Sequence, residues 1–314
     1  MPDTIKMNFL KLIRYQNLLM LALMQLIFKY GFLDLHASHQ ALNDWQYLIL
    51  VFATVCIAAG GYLINNIFDQ ETDRENKPKE VIVGNAISEG KAYNYYVILN
   101  VIGVGCGFYL SNFIGRPGFS VLFIGIAATL YLYASSLKQS LLAGNIIVAL
   151  LLALSVVIIG VFDLFPVITP DNRVHLALIF EVLTDYAIFA FIINFIREIV
   201  KDLEDVNGDY NQGMNTLPIV LGVSRTAKIA FYLGAIPVAI LLWYINKYYV
   251  TSNLWFATAY SLFMVVGPMI YFLIKMWGAK SQKEFGHLSG VLKFVLLFGI
   301  LSVIVVSLNI KYNA

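Results

Sequence analysis

Charge is scarce in this chain. Only 13% of its 314 residues are Asp, Glu, Lys or Arg, against 60% hydrophobic ones, and mean hydropathy reaches +0.76. That balance excludes an ordinary soluble domain, which needs far more polar surface. Cysteine is nearly missing: Cys56 and Cys106 both fall in apolar runs without partners at metal-ligand spacing, which leaves two buried thiols rather than a disulfide framework or zinc site. The four histidines, His36, His39, His175 and His287, form no pair at four-residue spacing and so argue against zinc or haem. No basic tail or recognition motif accompanies the net charge of +2, which argues against a nucleic-acid partner. No Pro/Gly/Ser-rich linker or polar block of domain size interrupts the chain, so residues 1–314 are expected to form a single domain.

What the chain does contain is apolar runs of about 20 residues, the length that crosses a hydrocarbon core of about 30 Å. Nine lie near 15–34, 46–67, 93–112, 118–136, 141–165, 174–197, 226–246, 253–277 and 289–310. The expected fold is all-α, a polytopic membrane bundle of nine transmembrane helices around a central cavity. With the N-terminus inside, only Lys29, Arg116, Arg173, Lys247 and Lys311 fall at outer ends. The other basic residues gather on the inner side, as cytoplasmic loops require. Lys6, Lys11 and Arg14 precede the first run as in a signal peptide, but the run has full spanning length and lacks a small-residue cleavage site. It reads as a retained helix. The expected location is the cell membrane of a prokaryote, with the N-terminus and the acid-rich loops cytoplasmic.

Two acid-rich segments end the second and sixth runs, each leading into a longer inner loop, 68–92 and 198–224. Their matching places suggest two related halves. In the first segment Asn65, Asp69 and Asp73 are four apart and share one helix face; in the second Asp202, Asp205 and Asp209 form a similar stripe. Either could be a solvated helix end. Yet a carboxylate at the apolar boundary is costly unless paired or metal-bound. Acids about 6 Å apart on one helix cannot all chelate one ion, whereas two facing helices can, with phosphate and water completing the octahedron. The pattern points to Mg²⁺ and a diphosphate, with Asp205 and Asp209 as ligands and Asp202 as a third member or a supporting group. Glu198 also belongs to this segment, and Glu204 points off the stripe toward solvent. Arg74, Lys77 and Lys138 are candidates to stabilise a departing diphosphate, although Lys138 alone could be a topology anchor. Asn145 reads equally as a packing amide or a site-lining group. Glu181 and Asp185, one turn apart inside the sixth run, receive no catalytic role. The 22 Phe and 19 Tyr suit interfacial belts and helix packing, and some could line a hydrophobic tunnel.

These residues resemble the UbiA-type intramembrane prenyltransferases. The resemblance rests on Asn65-x-x-x-Asp69-x-x-x-Asp73, Asp205-x-x-x-Asp209, the Tyr133 to Lys138 segment followed by Gly144-Asn145, and the nine-span layout, and it covers nearly the whole chain. From Arg197 to Gly222 it is most similar to members that add a second geranylgeranyl chain to geranylgeranylglyceryl phosphate. Asn66 stands where many members have Asp, and Lys77 where Arg commonly precedes Pro.

The resemblance implies Mg²⁺ held by Asn65, Asp69, Asp73, Asp205 and Asp209. It implies Lys77, Arg74 and Lys138 acting on the leaving diphosphate, and Asn65, Tyr133, Asn145 and Asp202 binding substrate. The implied partners are an isoprenyl diphosphate donor, a lipophilic acceptor entering laterally and membrane lipid, with the two inner loops as a cytoplasmic cap. An aromatic acceptor of hydroxybenzoate or naphthoate type is the main alternative. A cation-coupled transporter using Glu181 and Asp185 and a noncatalytic scaffold are more distant ones.

Overall fold

A backbone inside a bilayer has no water to bond, so each apolar run must close its hydrogen bonds internally as a helix. The computed structural model describes residues 2–37, 39–76, 78 and 81–313, with side chains from Met7 onward, Asn76 excepted. A short helix α1 (Pro2–Leu12) precedes the spans α2 (Tyr15–His36) and α3 (Asp44–Phe68). A short α4 (Gln70–Asn76) leads to α5 (Glu89–Phe113), α6 (Pro117–Ser135), α7 (Ala143–Val167) and α8 (Arg173–Asn211). After a short α9 (Leu217–Leu221) come α10 (Val223–Val250), α11 (Trp255–Gly278) and α12 (Gln282–Asn313). Among the described residues nine helices are thus long and apolar enough to cross a membrane, as the sequence predicts. The extended segments contribute one isolated bridge, Val83 to Ile87.

Local chemistry sets the ends and the packing. Asn43 caps α3 reciprocally with Gln46: the Asn43 side chain accepts from the Gln46 amide at 3.0 Å, and Gln46 Oε1 accepts from the Asn43 amide at 2.9 Å. Gly103 lets α5 lie against α3, since a Cβ there would stand 3.1 Å from the carbonyl oxygen of Ala53. One buried cluster includes Phe28, Leu50, Phe123 and Phe162; a second includes Ile199, Phe272, Phe285 and Leu292. A cavity of about 1010 Å³ borders both, with Phe28 and Leu296 in its wall.

The expected inner loop 198–224 is different in the structure. Helix α8 runs unbroken to Asn211, with Ile199, Val200 and Leu203 on its buried face and a Glu198–Lys201 ion pair one turn apart at 3.0 Å. It stops where Gly213 takes a left-handed φ of 66°. The acids beyond residue 197 therefore stand on a continuous helix.

The opposite end of the bundle is closed by charge. π-helical turns at Lys29–Leu33 and Gly160–Leu164 bring the Lys29 ammonium 3.1 Å from Asp163, both side chains buried. Asp163 also accepts from the Leu42 amide at 2.9 Å, and Lys29 donates to Gln40 and the Leu42 carbonyl and lies over the Tyr47 ring. Asp163→Ala should destabilise the purified protein by roughly 3–5 kcal/mol, because it strands a buried ammonium. A Lys29→Met, Asp163→Leu double variant should recover much of that loss in thermal unfolding.

Candidate active site

The first acid segment is a helix that bends without losing register. Helix α3 ends at Phe68, Asp69 takes φ −90° and ψ 4°, and α4 begins at Gln70. The Asp69 amide still bonds the Asn65 carbonyl at 2.9 Å, and the Asp73 amide bonds the Asp69 carbonyl at 2.8 Å. The four-residue stripe therefore survives the bend, and Asn65, Asp69 and Asp73 all line the cavity. Asp202, Asp205 and Asp209 of α8 line the same cavity, so the structure brings the two stripes together.

Each carboxylate is held by a particular neighbour. Asn65 Nδ2 donates to Asp69 Oδ2 at 2.5 Å, and Lys138 Nζ pairs with Asp69 Oδ1. Asn65 Oδ1 is buried without a hydrogen-bond partner among the described residues. Asn145 Nδ2 donates to Asp202 Oδ2 at 2.7 Å. Thr216 Oγ1 lies 3.4 Å from Asp209 Oδ2, and Asp209 itself is buried. Tyr133 lines the cavity, and the charges of Glu198, Asp69 and Asp202 act on its hydroxyl. Among the described residues no three carboxylate, histidine or cysteine side chains form a ready-made metal cage. The Lys138 ammonium sits on Asp69 where a cation's charge would be needed.

Lys138 reaches Asp69 because its loop turns back on α7. At Gly144 a Cβ would lie 2.9 Å from the Lys138 Cα and 3.3 Å from the Tyr133 ring, so only glycine allows that fold. The same loop is tied to the end of α8 by the Asn215 amide, which donates to the Gln139 carbonyl at 2.9 Å.

Three expectations change here. Arg74 is exposed and outside the cavity wall, with its guanidinium beside Gly84, because α4 turns that side chain away from Asp69 and Asp73. Asn145 is buried behind the wall and meets the site through Asp202. Glu204 is half-buried against α12 rather than in solvent: a Cβ at Gly286 would come within 2.9 Å of its carboxylate. Lys77 lies outside the described residues. Glu181 and Asp185 do not line the cavity. Five basic residues that the sequence offered as topology markers or helix balance, Lys11, Arg14, Arg197, Lys201 and Lys293, do line it. The signal was present in part, since Arg197 and Lys201 continue the four-residue row of Asp205 and Asp209.

From this polar end the cavity runs between apolar side chains that include Met24, Phe28, Phe123, Ile126 and Ile158. A polar end that holds charge and an apolar bore of this size suit a substrate with an anionic head and a hydrocarbon chain. Residues 30–296 match the model of the UbiA prenyltransferase family. The chain belongs to that family. It is 31% identical over 260 residues to a digeranylgeranylglyceryl phosphate synthase of Methanosphaera stadtmanae, covering 81% of this chain and 86% of the relative. It is 29% identical over 308 residues to a protein of the same name from Methanococcoides burtonii, covering 95% and 99%. Its fold is similar to that of a UbiA homolog from Archaeoglobus fulgidus bound to DMAPP and Mg²⁺, with TM-score 0.59, 18% identity, and coverage of 95% of this chain and 99% of the other. Gly144→Val in this UbiA protein should displace the Lys138 loop, cost roughly 1–3 kcal/mol and open Lys138 to trypsin. Limited digestion of folded wild type should leave that bond intact.

Proposed function

We propose that this chain is a Mg²⁺-dependent prenyltransferase. It moves a polyprenyl chain from an isoprenyl diphosphate to the hydroxyl of a lipophilic acceptor, geranylgeranylglyceryl phosphate or a close glycerol lipid, and releases diphosphate. One observation carries the reading: two acid-bearing helix ends, α3–α4 and α8, face one polar end of a cavity whose bore is apolar. The names of the similar digeranylgeranylglyceryl phosphate synthases support the acceptor. The gathering of basic residues toward the acid-bearing ends supports a cytoplasmic position for the polar end, and the relatives support a prokaryotic cell membrane.

The residues fit a hard cation. Asn65, Asp69 and Asp73 from one helix end and Asp205 and Asp209 from the other offer only oxygen donors, and the buried Asn65 Oδ1 has a free lone pair to give. When bound, Mg²⁺ would neutralise diphosphate oxygens and improve the leaving group. Asn145 keeps Asp202 aimed at the cavity. Lys138 is placed to pass from Asp69 to the departing diphosphate, where charge accumulates as the carbon–oxygen bond breaks and the electron pair leaves with oxygen. The apolar walls keep water from the allylic cation left behind. The acceptor hydroxyl then forms the new ether bond and loses its proton at the polar end, where the carboxylates and the departing diphosphate are the available bases.

Radiolabelled geranylgeranyl diphosphate, offered with geranylgeranylglyceryl phosphate, 4-hydroxybenzoate or dihydroxynaphthoate, tests this directly. Label should enter the glycerol lipid, stop with chelator, and fall on the order of 100-fold or more in Asp69→Ala and Asp205→Ala. Transfer to an aromatic acid instead would move the acceptor to the quinone-type reading. Unchanged transfer in both variants would remove the acid stripes from the mechanism. Lys138→Met should lower kcat on the order of 100-fold yet reduce the Mg²⁺ needed for half-maximal rate, because Asp69 loses its competing cation. A Mg²⁺ titration of the variant decides the sign.

A further inference from the structure

The cavity has a second charged region that the diphosphate chemistry does not use. Arg14 at the head of α2, Arg197 on α8 and Lys293 on α12 converge on its wall, flanked by Lys11 and Lys201. Lys293 Nζ donates to Asn17 Oδ1 at 2.7 Å, Asn17 Nδ2 donates to the Tyr62 hydroxyl at 3.2 Å, and the Arg14 guanidinium covers the Tyr62 ring at 5.3 Å. The charges of Arg14 and Arg197 both act on Lys293. Glu198, buried, bonds Arg197 at 3.2 Å and Lys201 at 3.0 Å, and Lys201 also faces the acid stripe through Asp202 and Asp209, so the unbalanced charge lies with Arg14, Arg197 and Lys293. A cationic excess crowded on a cavity wall at the membrane boundary is costly without an anion.

Two further observations point to a ligand. Arg197 Nε is buried and has no hydrogen-bond partner among the described residues, a donor with nothing to donate to. Arg14 holds φ 50° and ψ 53°, a left-handed backbone that a long side chain rarely adopts and that places its guanidinium on Tyr62.

The core of this region is set back from the proposed metal ligands Asp205 and Asp209, with Lys201 and Asp202 between them on α8. Arg197 precedes Asp205 by eight residues on one helix, about 12 Å along its axis. The two planar guanidinium forks of Arg14 and Arg197 and the Lys293 ammonium, less the Glu198 carboxylate, suit a compact dianion with several acceptor oxygens better than a single carboxylate.

We propose that Arg14, Arg197 and Lys293, flanked by Lys11 and Lys201, form a metal-free subsite for the phosphomonoester head of the acceptor lipid. The subsite anchors the acceptor so that its free hydroxyl, a few bonds from its phosphate, faces the donor carbon. Glu198 is the positioning residue that fixes Arg197 and Lys201. The inference deepens the proposed function and rests on its choice of a glycerol phosphate acceptor.

The test uses the full chain in lipid nanodiscs and two ligands that differ only in the phosphate, geranylgeranylglyceryl phosphate and geranylgeranylglycerol. Binding is measured in chelator without donor, and KM for acceptor and donor in turnover. Wild type should bind the phosphorylated lipid about 10-fold or more tighter. Arg14→Gln and Lys293→Gln should erase most of that preference and Lys293→Arg should keep it. In turnover, acceptor KM should rise about 10-fold in the two Gln variants while donor KM stays within about 2-fold. Equal wild-type binding of the two lipids, an undiminished preference in both Gln variants, or donor KM rising in step with acceptor KM would overturn the subsite. So would inorganic phosphate binding as tightly as the phosphorylated lipid, which would make the region a free-phosphate site. Phosphate-dependent binding without any transfer would sustain the subsite and sink the proposed reaction. Transfer that uses both lipids equally well would do the reverse.

Discussion

A carboxylate at the end of an apolar bore needs a partner, and the partner of Asp69 is Lys138. That pair joins the bend after α3 to the loop between α6 and α7. The loop in turn receives the Asn215 amide from the end of α8. A few residues on, Asn145 reaches across to Asp202. The ends of α3 and α8, far apart in sequence, are therefore both fixed against residues 138–145. The geometry of the polar end depends on that short segment, and the segment depends on Gly144 for its room. Because the Asp69 pair lines the cavity rather than the packed core, it can exchange partners when a stronger cation arrives. A fully buried pair such as Lys29–Asp163 cannot do so without unfolding its surroundings.

Most of this was legible in the sequence where local periodicity decides the outcome. The nine spans follow from apolar run length, and the stripes of Asn65, Asp69, Asp73 and of Asp202, Asp205, Asp209 follow from three- and four-residue spacing. That spacing persists even through the bend at Asp69. What periodicity cannot give is the neighbour. Arg74 is one residue from Asp73 and reads as a phosphate group, yet one residue is about 100° of helix rotation, and it faces away. Asn145 left two readings open, and only the position of α8 shows that its amide supports Asp202. The stripe spacing put Asp202, Asp205 and Asp209 on a helix, but that this helix continues the sixth span without a break shows only in its ion pairs and buried face. The basic group was hidden for a related reason. Arg14, Arg197 and Lys293 come from three distant segments, and each one alone is explained by membrane topology.

The distribution of charge also separates tasks. Packed apolar side chains supply shape and exclude water along the bore, and hydrogen-bonded amides such as Asn65 and Asn145 set the direction of individual carboxylates. Ionic groups are left to meet substrate. Each carboxylate that faces the cavity can thus be reoriented or neutralised by a ligand without disturbing the buried clusters that hold the helices together.

Helix α8 carries both the acids and two of the basic residues on a single uninterrupted rod. Its pitch acts as a fixed gauge: the separation of the two charged regions is set by the helix rise and is indifferent to loop movement. A lineage adapting such a protein to a larger or smaller acceptor could not stretch that gauge, because inserting one residue between the regions would swing one of them out of the cavity. Adaptation would instead fall to the side chains on α2 and α12, which approach the rod from across the cavity and can change length one residue at a time.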